Sequence, residues 1–279
     1  MIHFGPAGNC QRFYDEGFKG SEQAPAWISA QGLNAYEYAA GHGVSIGDEK
    51  AALIGAEAQR ANVALSIHAP YYINCANMDK LDNNIGYLLS AAHAVKLMGG
   101  SRVVFHPGSP SRLKRDKALK NTLETVRLAR KRLDESGYPD ILLCPETMGR
   151  PSQLGTLDEI IVLCQNVSGT LPTIDFAHLH AIGLGALGDE TAFEAVISRL
   201  IDGLGIERVR HFHAHFSRIA FTNKGEKCHM TFADSDYGPD FSHLAPILKK
   251  YALEPTIICE SRGTQADDAI TMRRIYEAT

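Results

Sequence analysis

The stretch Val63-Ala-Leu-Ser-Ile-His-Ala-Pro-Tyr-Tyr-Ile-Asn74 joins a short strand-like segment to a histidine and an aromatic loop. Residues 63–67 are short and mainly apolar, without alternation, which is typical of a parallel strand covered on both faces. His68 follows directly, and Pro70 and two tyrosines come next. A strand that ends in a potential metal ligand and continues into an aromatic loop is typical of an active-site rim.

Similar strand-like segments recur along the chain and alternate with helical patterns. The expected strands are 2–4, 33–38, 63–67, 102–105, 141–143, 173–174, 209–214 and 256–259. The expected helices are 47–62, 81–98, 116–136, 157–167, 189–204, 241–253 and 266–278. Such alternation predicts a parallel sheet, and eight units close most simply into an α/β fold, the (β/α)8 TIM barrel, as one domain over 1–279. A doubly wound open sheet is the alternative, but no GxGxxG motif follows the first strand.

Histidine or carboxylate side chains stand at the ends of six consecutive predicted strands. Because the C-terminal ends of barrel strands share one rim, these side chains become neighbours in space. In chain order they are His68, His106, Glu146, Asp175, His215 and Glu260. His178 follows the sixth strand, and His229 lies in 217–239, the longest irregular stretch that we expect. One histidine at a strand end is more often a satisfied polar residue than a ligand, whereas six such strands indicate a common site.

Three carboxylates at one rim would repel one another and raise one another's pKa, and divalent cations would remove this conflict. Mixed imidazole and carboxylate ligands suit zinc, with manganese or iron as alternatives. The eight candidate ligands exceed the three or four that one zinc ion needs. The pattern therefore predicts two or three ions bridged by a carboxylate.

The other histidines have less certain places in this pattern. His93 and His243 are assigned to helix surfaces or packing, and His211 and His213 to structural positions in the seventh strand. His213 is the alternative ligand if the end of that strand is displaced by two residues. The roles of the remaining three stay open: His3, His42 and His180.

Composition narrows the class of protein. The net charge of −4 lacks the basic excess by which proteins grip nucleic acid through charge alone, although bound cations could supply positive charge. The six cysteines have no CxxC spacing and do not indicate a disulfide framework or a cysteine-rich zinc site. No signal peptide and no apolar run of about 18 residues occur. We expect a cytoplasmic monomer without a membrane or protein partner.

Two features near the expected rim have two interpretations each. Segment 109–117 carries several basic residues close to a helix N-terminus, where cations oppose the helix dipole. This hints at an anionic partner, and a solvated charged turn explains it equally well. Tyr71 and Tyr72 could stack on nucleic acid, or they could bind a sugar.

Five segments together resemble the endonuclease IV family of apurinic/apyrimidinic endonucleases, within the xylose-isomerase-like barrels. They are HAPYYIN at 68–74, FHPGS at 105–109, CPETMG at 144–149, DFAHLHAIG at 175–183 and CES at 259–261. The resemblance implies a zinc-dependent deoxyribonuclease acting in base excision repair on damaged duplex DNA. Such an enzyme hydrolyses the phosphodiester 5′ to an abasic site by means of a metal-bridging hydroxide.

The matching motifs also imply roles for single residues. The ligands of a first zinc ion would be His68, His106 and Glu146. Those of a second would be Glu146, Asp175, His215 and Glu260, with Glu146 as the bridge. Those of a third would be His178 and His229. Glu146 and Glu260 would be catalytic, and Tyr71 matches the tyrosine that enters the DNA at the damaged site.

The chain departs from the family pattern at two places. The third metal usually also takes an aspartate two residues before the loop histidine, and here that position is Lys227, which cannot bind zinc while charged. Glu226 could substitute, or the lysine could take over part of a cation's role toward phosphate. The loop 39–47 is small and glycine-rich and lacks the basic and aromatic DNA-contacting residues of the family.

A divalent-metal sugar isomerase or epimerase of the same superfamily is the alternative function. Such enzymes resemble this chain only at the second set of ligands, which holds one metal while two carboxylates act as acid and base. A one-metal isomerase does not need the four histidines outside that set. A third possibility is a metal-binding barrel without catalysis, which the lysine at 227 and the modest loop 39–47 motivate.

Overall fold

Ten strands form the framework of the protein in a computed structural model that describes residues 1–279. They are β1 (His3–Pro6), β2 (Ala35–Ala39), β3 (Ala64–His68), β4 (Arg102–Phe105), β5 (Leu142–Pro145), β6 (Thr173–Asp175), β7 (His213–Phe216), β8 (Arg218–Thr222), β9 (Gly225–Met230) and β10 (Thr256–Cys259). Hydrogen bonds order them as β1-β10-β7-β6 and β2-β3-β4-β5, all parallel within these two sheets. Parallel bridges from Ala7 to Glu37 and from Glu146 to Thr173 join the sheets. The eight strands thus close into the expected (β/α)8 barrel.

Helices surround this barrel and connect its strands. They are α1 (Gln11–Asp15), α2 (Ala24–Ala30), α3 (Asp48–Ala61), α4 (Leu81–Leu97), α5 (Arg115–Glu135), α6 (Leu157–Asn166), α7 (Phe176–Ile182), α8 (Glu190–Leu204), α9 (Ile206–Val209), α10 (Ala245–Lys250) and α11 (Gln265–Ala278). Short 3-10 turns precede α2, α4 and α10. The expected end of α4 is confirmed, because Gly99 follows it with a φ of 74°. No helix has the length and apolar character needed to span a membrane.

The observed boundaries correct three expectations. The seventh strand begins at His213, because the end of α9 and a turn occupy residues 209–212, so His211 lies in the turn and not in the strand. The helix expected at 241–253 is divided at Leu244 into a 3-10 turn and α10, and Pro246, which has no N–H, lies in the first turn of α10. The stretch 217–239 is not irregular, because β8 and β9 form an antiparallel hairpin within it. Short apolar runs do not distinguish strand from helix, which explains the first difference.

The inner and outer faces of the barrel differ in polarity. Ile67 and Ala214 belong to the apolar core that lies between the strands and the helices. Their strand neighbours point the other way, since side chains alternate along a strand. On β3 and β7 those neighbours are polar and buried, and they include Ser66, His213 and His215. Buried polar groups are costly unless they have partners, so the barrel interior must contain a bonded polar network.

The free cysteines allow this packing to be tested. Five are buried and only Cys228 is half-buried, and burial raises the pKa of Cys75, Cys144 and Cys259 to about 12. Because the thiolate is the reactive form, we expect one fast-reacting thiol in the native chain when it is treated with a thiol reagent. The Cys228→Ser variant should lose that signal, and unfolding should expose all the remaining cysteines. Fast reaction of a second thiol in the folded protein would contradict the packing.

Candidate metal centre

The eight histidines and carboxylates selected from the sequence meet at one end of the barrel. Parallel register places Asp175 of β6 beside His215 of β7, and His215 beside Ile258 of β10, two residues before Glu260. Glu146 directly follows β5 and bridges to Thr173 of β6. The C-terminal ends of neighbouring strands therefore bring these side chains together, as expected for this fold.

Glu146 lies at the middle of the cluster and is almost fully buried. Its Oε2 lies 3.1 Å from His68 Nε2 and 3.3 Å from His106 Nε2. Its Oε1 lies 3.2 Å from His215 Nδ1 and 3.4 Å from His178 Nδ1. The two oxygens thus face different histidines, which is the arrangement that a carboxylate bridging two ions requires.

Five groups contain candidate ligand atoms that all lie within 4.8 Å of one another, and three of these groups correspond to the ligand sets expected from the sequence. The first group is His68, His106 and Glu146. The second group is Glu146, Asp175, His215 and Glu260. The third group is Asp175, His178 and His229. The first two groups coincide with the ligand sets implied by the sequence motifs, and the third adds Asp175 to the expected pair of histidines.

Asp175 shows how a short helix completes the third group. Its Oδ1 accepts a hydrogen bond of 2.7 Å from the backbone N–H of His178 and so caps the N-terminus of α7. The cap holds His178 one turn away, on the same rim. The other oxygen, Oδ2, is buried without a hydrogen-bonding partner, as expected of a carboxylate oxygen that serves as a cation ligand.

The histidine rings are oriented by main-chain carbonyls. His68 Nδ1 lies 2.8 Å from the carbonyl oxygen of Ala69, and His178 Nδ1 lies 2.9 Å from that of Thr147. Since a carbonyl can only accept, Nδ1 of each ring carries a proton, and the neutral form of each ring therefore has its lone pair on Nε2. Metal-binding histidines are commonly fixed in this way. The ligand types and their orientation fit divalent cations such as zinc.

Burial and charge together set the protonation of the cluster. Burial opposes charge on His68, but its hydrogen bond to Glu146 and the nearby carboxylates outweigh burial and raise its pKa to about 9. Burial also raises the pKa of Asp175. A cluster of buried carboxylates needs positive charge close by, and divalent cations would supply it.

The hairpin β8–β9 places Glu226, and not Lys227, at the third group. Glu226 pairs with Phe221, and Cys228 pairs with Ala220, so Lys227 is the extra residue of a β-bulge. Regular alternation would put residues 226 and 229 on opposite faces, and the extra residue shifts this alternation so that Glu226 and His229 share one face. Lys227 is exposed.

Glu226 faces the ring of His178 directly. Its Oε2 lies 2.9 Å from His178 Nε2, in a contact too bent for a hydrogen bond. Neutral His178 with its proton on Nδ1 would turn a lone pair on Nε2 toward the carboxylate oxygen, so this contact needs either a second ring proton or a cation shared by the two atoms. Close packing fixes the arrangement, because a Cβ on Gly149 would lie 2.5 Å from that oxygen.

A cavity of about 280 Å³ opens onto the cluster. Tyr71 lines it and is 55% exposed, and its ring packs edge-on against His42, with centroids 5.3 Å apart. Tyr72 packs against Tyr71 in turn. An aromatic surface therefore borders the opening, and His42 of the glycine-rich loop 39–47 belongs to it.

Glu37 of β2 is the residue that the sequence reasoning missed. It is fully buried beneath the rim, and its Oε2 lies 2.9 Å from His213 Nε2. Burial lowers the pKa of His213 to about 4, so this ring is neutral and belongs to the interior, not to the rim. A glutamate in the otherwise apolar and aromatic segment Ala35–Ala39 could have signalled it, because glutamate is rarely buried without a partner.

The basic segment 109–117 divides between structural and exposed residues. Arg115 forms two hydrogen bonds of 2.6 and 2.8 Å to the carboxylate of Glu159 and also bonds to main-chain carbonyls. Arg112, Lys114 and Lys117 are exposed. Arg115 therefore joins the loops after β4 and β5, and only the other three are free to face an anion.

Comparison with known proteins agrees with this architecture. A family model described as the xylose isomerase-like TIM barrel matches residues 25–276. An uncharacterized protein of Methanocaldococcus jannaschii is 28% identical over 214 residues, which cover 76% of this chain and 77% of that protein. A probable endonuclease 4 of Shouchella clausii is 26% identical over 178 residues, 58% of each chain. The matched region thus spans less than two thirds of that endonuclease 4 relative.

Solved structures of proteins from two functional classes share the fold of this chain. Endonuclease IV from Thermus thermophilus superposes with a TM-score of 0.72 at 19% identity, over 99% of this chain and 98% of that one. A D-tagatose 3-epimerase-like protein superposes with a TM-score of 0.71 at 18% identity, over 99% and 96%. At these identities the likeness shows the fold alone. The family match over most of its length shows that the chain belongs to the xylose isomerase-like TIM barrels, and its low identity to the endonuclease 4 relatives fits a divergent branch.

Proposed function

We propose that the chain is a metal-dependent phosphodiester hydrolase of the endonuclease IV type, which cleaves duplex DNA on the 5′ side of an abasic site. The observation that most strongly supports this proposal is that the two oxygens of Glu146 face two separate sets of imidazoles. A second supporting fact is the sequence similarity to proteins named probable endonuclease 4. A one-metal isomerase would have no use for the pair His68 and His106.

The proposed ligands are the three groups described above, with Glu226 added to the third. Zinc is the proposed metal, with manganese as the alternative. Bound zinc would lower the pKa of a water molecule towards about 7 and neutralise charge on a phosphate. Glu146 and Glu260 are the proposed catalytic carboxylates. Glu260 lies between the second and third groups, with Oε1 3.5 Å from His215 Nδ1 and Oε2 3.8 Å from His229 Nε2.

Tyr71 is the proposed contact to the damaged DNA. Its exposed ring borders the cavity above the cluster, where stacking on a base would contribute about 1–3 kcal/mol. His42 and Tyr72 support its ring from two sides. The exposed cations Arg112, Lys114 and Lys117 could lie along the phosphate backbone. A single domain over residues 1–279, a monomer and a cytoplasmic location stay predictions.

A duplex with one abasic site tests this proposal. The zinc-loaded protein should nick it beside that site, leave an intact duplex uncut, and lose activity in a chelator. The His106→Ala variant should lose most of the activity, while His93→Ala, which alters a histidine on α4 paired with Asp48, should keep it. Cleavage that survives chelation would refute the metal mechanism.

Sugar epimerisation is the second candidate function. The second group alone resembles the metal set of such enzymes, and an epimerase-like protein shares the fold. We expect no change at C3 of a ketohexose when the manganese-loaded protein is incubated with it. If the protein epimerises the sugar, keeps this activity in the His68→Ala variant and does not cleave DNA, the epimerase function would be supported and the hydrolase proposal refuted.

Glu226→Ala is expected to lower the number of bound zinc ions by one. The reason is that its carboxylate, and not Lys227, faces His178 in the third group. Lys227→Ala is the matched control on the same strand and should keep all ions. Zinc per chain, measured by native mass spectrometry after dialysis, distinguishes the two variants. An unchanged count in Glu226→Ala would exclude Glu226 as a ligand.

A further inference from the structure

A carboxylate lies inside the barrel directly below the second group. Glu37 comes from β2, and its side chain is fully buried and reaches side chains of β3 and β7. Its Oε2 accepts hydrogen bonds of 2.8 Å from Ser66 Oγ and 2.9 Å from His213 Nε2. Its Oε1 lies 2.9 Å from His215 Nε2. Three side chains from two strands therefore surround one carboxylate.

Arg102 fixes the direction of the hydrogen bonds in this network. Its Nη1 lies 3.4 Å from His213 Nδ1, and a guanidinium group can only donate. His213 Nδ1 is thus the acceptor, and the ring proton is on Nε2, which donates to Glu37. Ser66 also donates to the same oxygen. With Oε2 satisfied by these donors, Oε1 is left for His215.

His215 has one nitrogen on each side of this arrangement. Its Nε2 and Glu37 Oε1 lie 2.9 Å apart, and neither atom has any hydrogen-bonding partner, so each is the only polar group available to the other. Its Nδ1 lies 3.2 Å from Glu146 Oε1 and 3.5 Å from Glu260 Oε1. A proton on Nε2 therefore leaves the lone pair of Nδ1 directed at the carboxylates of the second group.

We propose that Glu37 is a positioning residue that orients His215 as a metal ligand. It holds the ring proton on Nε2 and so keeps Nδ1 available for the ion in the second group. Carboxylates that contact a metal-binding histidine in this way typically contribute about 10–100-fold to metal affinity. This inference rests on the metal centre of the proposed function, but only on its second group, which the epimerase alternative shares.

A fourth metal site is the competing interpretation, because Glu37, His213 and His215 also lie within 4.8 Å of one another. The cationic guanidinium of Arg102 beside His213 disfavours it. A cation held there would also need lone pairs on His213 Nε2 and His215 Nε2, which are the nitrogens that carry protons toward Glu37 in this arrangement. Hydrogen bonds account for the contacts of Glu37 Oε2 without an ion, and a proton on His215 Nε2 would account for the short contact to Oε1.

Glu37→Gln tests the proposal, with cobalt(II) as a spectroscopic probe. The amide keeps the shape but cannot accept from both histidines. We expect cobalt to bind the second group about 10–100-fold more weakly, with an altered visible spectrum there and unchanged binding at the first group. Ser66→Ala removes a bond to Oε2 only and should bind with near wild-type affinity.

Glu37→Asp provides a second variant in case the glutamine variant does not fold. It keeps the buried charge but shortens the reach toward His215, so weaker binding at the second group is again expected. Unchanged affinity and spectrum in either folded variant would overturn the proposal. Loss of an additional ion, beyond the one lost in His215→Ala, would make Glu37 a ligand and also overturn it. The experiment measures metal binding and not DNA cleavage. Its outcome therefore tests the role of Glu37 even if the hydrolase proposal is wrong.

Discussion

Glu146→Gln is expected to reduce cleavage of an abasic duplex by about a thousandfold or more, which exceeds the usual effect of losing one preorganised electrostatic group. Both oxygens of Glu146 face imidazoles, at 3.1 and 3.3 Å on one side and 3.2 Å on the other. An amide presents an N–H₂ group to one of these sides and cannot bind a cation there. The change should therefore remove ions from the first and second groups together.

Glu207→Gln is the matched control, because Glu207 is 82% exposed on α9, which precedes the start of β7 and not the strand end that carries the cluster. It should keep wild-type cleavage and metal content. Activity is measured as initial rates of nicking at saturating zinc, with circular dichroism to show that each variant is folded. A folded Glu146→Gln protein that retains its ions and cleaves within tenfold of wild type would exclude the bridging role.

Gly5→Ala is expected to destabilise the fold by about 3 kcal/mol or more, at the upper end of overpacking effects. A Cβ on Gly5 would lie 1.8 Å from the carbonyl oxygen of Ala35. The obstacle is main chain, so it cannot rotate away. The close approach of β1 and β2 closes the barrel, and the added methyl group would push these strands apart.

Gly86→Ala is the control for this prediction. Gly86 lies within α4, and a Cβ there would meet no atom within 4 Å. Alanine should therefore stabilise the helix by about 0.5–1 kcal/mol. Urea unfolding monitored by circular dichroism measures both changes. A Gly5→Ala protein within about 1 kcal/mol of wild type would contradict the closed geometry between β1 and β2.

The strand-end residues could be predicted from the sequence because one rule of topology connects them. Parallel barrel strands end at a common rim, so the proximity of His68 and Glu146 can be predicted without knowing how side chains pack. The alternation of strands and helices likewise predicted the barrel. The start of β7 was misplaced because Val209 and its neighbours form a short helix whose apolar character resembles a strand.

Contacts across the barrel and local irregularities could not be predicted in this way. Glu37 lies far from His215 in sequence, and only the closed barrel brings their side chains to 2.9 Å. Glu226 shares a face with His229 because a bulge at Lys227 shifts the alternation. Helix α7 has only seven residues and begins directly after β6, which is too short for a periodic signal.

Native mass spectrometry of the zinc-loaded chain tests the multi-metal centre most directly. The protein is dialysed against a low concentration of free zinc, and the bound ions are counted for the wild type and for His68→Ala. We predict two or three zinc ions per chain, with one fewer in the variant. A single bound ion in both proteins would contradict the multi-metal centre.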